Sequence, residues 1–350
     1  MMKRSIFLCV AFSLVLISLL SFAEEKSPDG KHVAYVAKSG SKQFVVVDGK
    51  EGKHYDGIEE IKCDLCRDSL IFSLDSKHLA YQAKLGNKVF VVIDGKEEKQ
   101  YDNIDYDSLV FSPDSKRLAY QAKSGNKWLI VVDGKEKKAY DLVAPPIFSP
   151  DSKHVKYGAK AGNKWFVVVD EKEKKRYDGI GTFIFSRNSK HLAYEAKSSD
   201  RWFVVVDGKE GKQYDHFAYD TLIFSPDSKR IAYVVSGLKS FVVADEKEGK
   251  QYDDIAEKPY EGYKGDVLIF SPDSNHLVYK AKAGDKWFVV IDGREGKQYD
   301  DILEGTPIFS PDSKHLTYYA LSGKKWFVVI DGKEREERPH KIRKTGHIDR

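Results

Sequence analysis

From Phe111 to Asp141 the chain reads FSPDSKRLAYQAKSGNKWLIVVDGKEKKAYD. Its apolar residues fall in short clusters, and no stretch sustains the 3.6-residue period of an amphipathic helix. Four strands follow from the pattern. The first is Leu109-Val110-Phe111, stopped by Ser-Pro-Asp, where proline fixes φ at the first corner of a type I turn and Ser and Asp bond the local backbone. The second is residues 118–122, ended by the glycine-containing loop Ser124-Gly125-Asn126. The third, residues 128–132, is an unbroken apolar run, as suits a strand covered on both faces. Asp133-Gly134 then supplies the positive-φ chemistry of a tight hairpin. The fourth strand is short and polar, an outer-edge composition, and ends in Tyr140-Asp141.

The same unit recurs. Its first turn starts at Ser27, Ser73, Ser112, Ser149, Ser186, Ser225, Ser271 and Ser310, with spacings of 37 to 46 residues. A period near forty built of short strands predicts an all-β fold, a single β-propeller of four-stranded blades. Each blade hides its two apolar sides against its neighbours, which accounts for a chain longer than one ordinary core. Eight blades are expected, with seven as the alternative. Units 2 to 7 read as complete. Unit 1 lacks a first strand in the sequence, and unit 8 reads Glu336-Glu337-Arg338-Pro339 where the others carry Tyr-Asp. A seam, and the weak point of the ring, is therefore expected between the first and last repeats. The expected domain limits are 24–332 for the propeller and 333–350 for a polar tail, which either pairs in part as the missing last strand or trails in solvent.

The F-S-P-D-S-K/N-x-L-A-Y segment, followed by an aromatic-aliphatic strand ending in Asp, resembles the WD-like repeat of the periplasmic TolB-type propellers, from Ser27 to about Gly332. The resemblance implies the fold and leaves the activity open. Related repeats serve partner-binding propellers and the non-catalytic domain of prolyl-oligopeptidase-like enzymes. The chain is expected to lack both the α/β domain that precedes the repeats in the first group and the hydrolase domain that accompanies them in the second.

Residues 1–23 have the layout of a signal peptide: Lys3 and Arg4, an apolar run from Ile6 to Leu20, and Ser21-Phe22-Ala23 before Glu24. Cleavage after Ala23 implies a periplasmic or secreted protein, and an uncleaved membrane anchor is the alternative. Cleavage lowers the formal charge from +4 to +2, too little for a nucleic-acid-binding surface. A monomer with no membrane span after cleavage is expected.

The connectors between blades differ most, and residues 57–69 and 254–266 are the longest. Both lie on the face that also carries the loops between second and third strands, where a rigid scaffold commonly presents its binding residues. Tyr260 and Tyr263, flanked by Lys258 and Lys264, together with Asp64 and Arg67, form the candidate binding set; the alternative is a solvated insertion. Cys63 and Cys66 are the only CxxC, read as a local disulfide with reduced thiols as the alternative.

Six histidines (His32, His78, His154, His191, His276 and His315) share one repeat position with Arg117 and Arg230, so they are read as polar edge residues and not metal ligands. The Tyr-Asp pairs are read as turn residues bonding local amides, and Trp128, Trp165, Trp202, Trp287 and Trp326 as packing between blades. No G-x-S-x-G, H-E-x-x-H or phosphate-binding glycine loop occurs, so no catalytic residue, metal or cofactor is assigned. Two classes remain. One is a non-catalytic exported propeller binding a protein or envelope component through its connector face; the other is a propeller enzyme acting on a saccharide or peptide at the central channel.

Overall fold

The computed structural model describes residues 24–58, 70–218, 220–255, 267–303 and 305–337. It consists of eight antiparallel sheets, each built from consecutive strands of one repeat, as an eight-bladed β-propeller requires. The only helical element among the described residues is a 3-10 turn at Tyr106–Ser108. In blade 3 the long strands Leu118–Ser124 and Lys127–Val132 pair throughout, and Lys135–Glu136 closes the outer edge. The hairpin before that edge is of the expected kind: Asp133 and Gly134 both have positive φ, at 53° and 69°. Where glutamate replaces glycine, Glu171 and Glu246 are forced to φ 67° and 66°.

Both terminal repeats are complete blades, which settles the count at eight. Unit 1, expected to lack a first strand, has one in Glu25–Lys26, paired with Val33 and Ala34. In unit 8 the tail pairs over Lys333–Glu337, alongside Trp326 to Ile330. Backbone hydrogen bonds alone define these edge strands, so a polar sequence did not prevent them.

Apolar clusters join consecutive blades. One unites Ala34, Val36 and Val45 of blade 1 with Leu79, Tyr81 and Phe90 of blade 2; equivalents follow through blades 7 and 8. A polar staple repeats beneath them. Asp29 N–H donates to Ser76 Oγ of the next blade at 3.0 Å, and the pattern continues to Asp273 and Ser313. Seven such staples are present among the described residues, and Gly30 stands where blades 2 to 8 carry the serine.

The apolar surface shows the same discontinuity. The residues aligned with Val328, from Val45 to Val289, are at most 3% exposed, whereas Val328 is only half-buried. The face of blade 1 turned away from blade 2 keeps a small cluster of its own: Ala37, Phe44 and Val46. Gly30 has φ +71°, close to the 61–68° of the serines at its position, with open space where a Cβ would stand. Gly30→Ser, compared with Gly30→Ala to cancel the backbone strain, should therefore gain about 1 kcal/mol in chemical denaturation if Asp312 N–H meets the new hydroxyl. Equal stability of the two variants would mean that blades 8 and 1 do not abut there.

Candidate functional site

The repeated polar residues are structural. The Nδ1 atoms of His32, His78, His191, His276 and His315 lie 2.7 Å from the aspartate of the following hairpin, and that of His154 lies 2.5 Å from Asp170. Arg117 and Arg230 reach the same aspartate with Nε. Arg117 continues into the next blade, donating from Nη1 to the carbonyls of Ser152 and Lys153 and stacking 5.1 Å from Phe148. One aspartate thus serves imidazole and guanidinium alike, which explains why the two alternate at this position.

The Tyr-Asp pairs differ from expectation in one respect. Asp141 takes Lys127 Nζ from its own blade, but the amide it accepts, that of Gly162, lies in the next blade's hairpin at 2.7 Å. Asp56, Asp102, Asp178, Asp253 and Asp300 do the same, so they clamp neighbouring blades and do not close local turns. Between blades 3 and 4 the tyrosine adds a second clamp, Tyr140 Oη donating to Glu173 Oε1 at 3.1 Å. Asp64, Arg67, Cys63, Cys66, Lys258, Tyr260, Tyr263 and Lys264 lie outside the described residues.

Against this regular frame, one strand position varies. The residues aligned with Glu195 are Val36, Gln82, Gln121, Gly158, Val234, Lys280 and Tyr319. Their neighbours along the strand are almost constant. Three of these side chains are buried with an oxygen that has no hydrogen-bond partner: Gln82 Oε1, Gln121 Oε1 and Glu195 Oε1. Two positions earlier, where five blades have a fully buried alanine, blade 4 has Lys156. Its Nζ has no hydrogen-bond partner among the described residues and lies 4.3 Å from the centre of the Phe185 ring and 5.5 Å from that of Phe183. Burial alone pulls its pKa down to about 7.

Blade 5 turns the variation into a cleft. Its first strand, Gly179–Phe185, is continuous, while in blades 2, 3, 4 and 8 the corresponding segment is two short pieces. A register shift between Ile180 and Phe183 takes Gly181 and Thr182 out of the ladder. The freed Thr182 N–H donates to Glu195 Oε2 at 3.1 Å. Gly181 is required here because a Cβ would stand 2.2 Å from that same oxygen.

The cleft has a volume of about 800 Å³ and is lined by Ile147, residues 180–184, Glu195, Trp202, His216, Phe217 and Asp220. The last three come from the segment leading from blade 5 into blade 6, so the connector end of the blades contributes directly. Glu195 is 6% exposed, and burial, opposed by the Thr182 amide and reinforced by the charge of Asp220, raises its pKa to about 7. It is therefore a carboxyl that carries or loses its proton near neutrality.

Trp202 differs from its counterparts. In blades 3, 4 and 7 a lysine from the paired strand stands over the tryptophan: Lys123 and Lys160 at 5.7 Å, and Lys282 at 5.3 Å. In blade 5 the equivalent Lys197 instead meets Asp200 at 3.0 Å. Asp200 stands in a Ser-Ser-Asp-Arg loop where blade 3 has Ser-Gly-Asn-Lys. Among the described residues no cation covers the Trp202 ring. The expectation that the tryptophans pack between blades describes Trp128, which joins the cluster between blades 3 and 4, but misses that Trp202 also faces a cleft.

No family model matches the sequence, and neither does any curated protein. Solved structures similar to the chain include a eukaryotic initiation factor, 14% identical over 90% of this chain and 87% of that one, with a TM-score of 0.46. TolB from Acinetobacter baumannii is 14% identical over 73% of this chain and 78% of its own, with a TM-score of 0.30. Dipeptidyl peptidase 4 from Porphyromonas gingivalis is 11% identical over 91% of this chain, which spans 59% of that protein's length, with a TM-score of 0.44.

Proposed function

We propose that the chain is an exported, non-catalytic β-propeller with TolB-like repeats, which binds a protein or cell-envelope partner through its connector face. The observation that carries this reading is where regularity ends. Seven sets of staples and apolar clusters fix the blades, while at the blade 5 cleft several departures from the repeat meet around a buried carboxyl oxygen with no partner among the described residues. A buried polar atom without a partner, at the wall of a cleft, is a group that a ligand can satisfy. In this reading the two longest connectors by sequence, with Tyr260, Tyr263, Lys258 and Lys264 in one and Asp64 and Arg67 in the other, supply the rest of the binding set. The Cys63–Cys66 pair would stabilise the connector at residues 57–69 as a disulfide. With residues 1–23 removed, the ring works as a periplasmic or secreted monomer. No helix among the described residues is long and apolar enough to cross a membrane.

The test is affinity capture from envelope extract with the mature chain. Tyr260→Ala with Tyr263→Ala, and separately Glu195→Gln with Trp202→Leu, should each reduce recovery of the retained partner at least fivefold. Unchanged recovery with both pairs removes the connector face from consideration.

A second reading has one observation in its favour. A carboxyl titrating near 7, in a cleft that His216 and Asp220 also line, has the acidity of a general acid or base acting on a saccharide or peptide. Turnover of such a substrate that Glu195→Gln abolishes, with capture intact, would favour the enzyme.

A further inference from the structure

We propose that the cleft beside Glu195 binds a protonated amine or guanidinium, the chemistry of a lysine or arginine side chain presented by a protein partner. The inference rests on the reading of the connector face as a binding surface and adds the chemistry of what enters it.

Three features point to a cation. Glu195 is nine-tenths buried, and its Oε1 meets no donor among the described residues, while Oε2 is held in place by the Thr182 amide. A carboxylate withdrawn from water gains most from a charge-assisted donor that arrives with the ligand. Second, Asp220 lines the same cleft and its charge opposes ionisation of Glu195, whereas among the described residues no lysine or arginine lines it. One entering cation relieves that repulsion as well as the missing hydrogen bond.

Third, Trp202 and Phe217 supply aromatic walls of the kind over which ammonium and guanidinium groups settle. The protein itself shows that preference, since Lys123, Lys160 and Lys282 stand over the equivalent tryptophans. In blade 5 that internal cation is drawn off to Asp200, which leaves the ring to an outside one. Lys156 does not substitute, because it is held against Phe183 and Phe185 and its Nζ makes no hydrogen bond.

Calorimetric titration of the whole mature chain with N-acetyl-lysine methylamide and N-acetyl-arginine methylamide tests the proposal. N-acetyl-norleucine methylamide, of similar length and uncharged, is the control. Both cationic probes should bind saturably at one site, with the norleucine probe at least tenfold weaker. Glu195→Gln and, separately, Trp202→Leu should each weaken the cationic probes at least tenfold, with thermal melting at pH 5 showing that each variant is folded. Equal binding of the norleucine probe, or unchanged binding of the lysine and arginine probes by Glu195→Gln, overturns the proposal.

The two readings fail separately. Loss of partner capture on Tyr260→Ala with Tyr263→Ala, without binding of either cationic probe, overturns the ligand chemistry and leaves the connector face standing. Probe binding that depends on Glu195, with capture indifferent to every connector-face substitution, supports the cation site and overturns the partner-binding function.

Discussion

Lys156→Met is expected to raise the unfolding free energy at pH 7 by about 4 kcal/mol. Lys156 is fully buried, has no hydrogen-bond partner and gives up its proton at about 7 instead of 10.5. The native chain therefore binds fewer protons than the unfolded chain between about pH 7 and 10.5. Wild-type stability rises through that window, and the full penalty is present at and below its lower end. The rings of Phe183 and Phe185 return part of the lost solvation, but they do so for a site where alanine suffices in blades 1, 2, 3, 5 and 6. Methionine keeps the length of the side chain and removes the charge, so the gain is not offset by a cavity. Urea denaturation at pH 6, 8 and 10 checks this. The advantage of the variant should be largest at pH 6 and shrink at pH 10, and a variant no more stable than wild type at pH 6 would show that the ammonium is solvated.

Glu195 acts in the opposite direction. Its pKa is raised from 4.5 to about 7, so the native state holds a proton that the unfolded chain has lost between those two values. Stability falls as pH rises from about 4.5 to 7, and the loss is complete above that window. Glu195→Gln, which preserves an acceptor for the Thr182 amide, should match wild type near pH 4.5 and exceed it by about 3 kcal/mol at pH 8. Together the two groups give the wild type a stability minimum near neutrality, about 3 kcal/mol below its acid side and about 4 kcal/mol below its alkaline side. The double variant should flatten it. A wild-type profile with no fall between pH 4.5 and 7 would mean that Glu195 is ionised in the fold.

The repeat made most of this architecture legible. The SPDSK turns, the apolar third strands and the Asp-Gly hairpins each appear where the spacing puts them, because every blade solves the same packing problem with the same residues. The edges were less visible. Glu25–Lys26 and Lys333–Glu337 pair through backbone atoms, which leave no mark in a pattern of hydrophobic positions. The aspartates of the Tyr-Asp pairs look local in the sequence, yet their amide partners stand 21 to 31 residues ahead in the next blade.

The cleft is the instructive omission. Its residues are departures from the repeat: a glutamate in place of valine or glutamine, a bulged Gly181, an aspartate in the hairpin that captures Lys197. Aligning the blades and asking which strand positions fail to repeat isolates Glu195 and Lys156 directly. Burial, the lost amide pairing and the uncovered Trp202 ring depend on coordinates, and no spacing in the sequence reports them.

The most direct test of the account is a crystal structure of the mature chain soaked with N-acetyl-lysine methylamide. The ammonium should lie within hydrogen-bond reach of Glu195 Oε1, at about 2.8 Å, and over the Trp202 ring. A probe bound elsewhere on the ring, with Glu195 Oε1 still unpartnered, would contradict it.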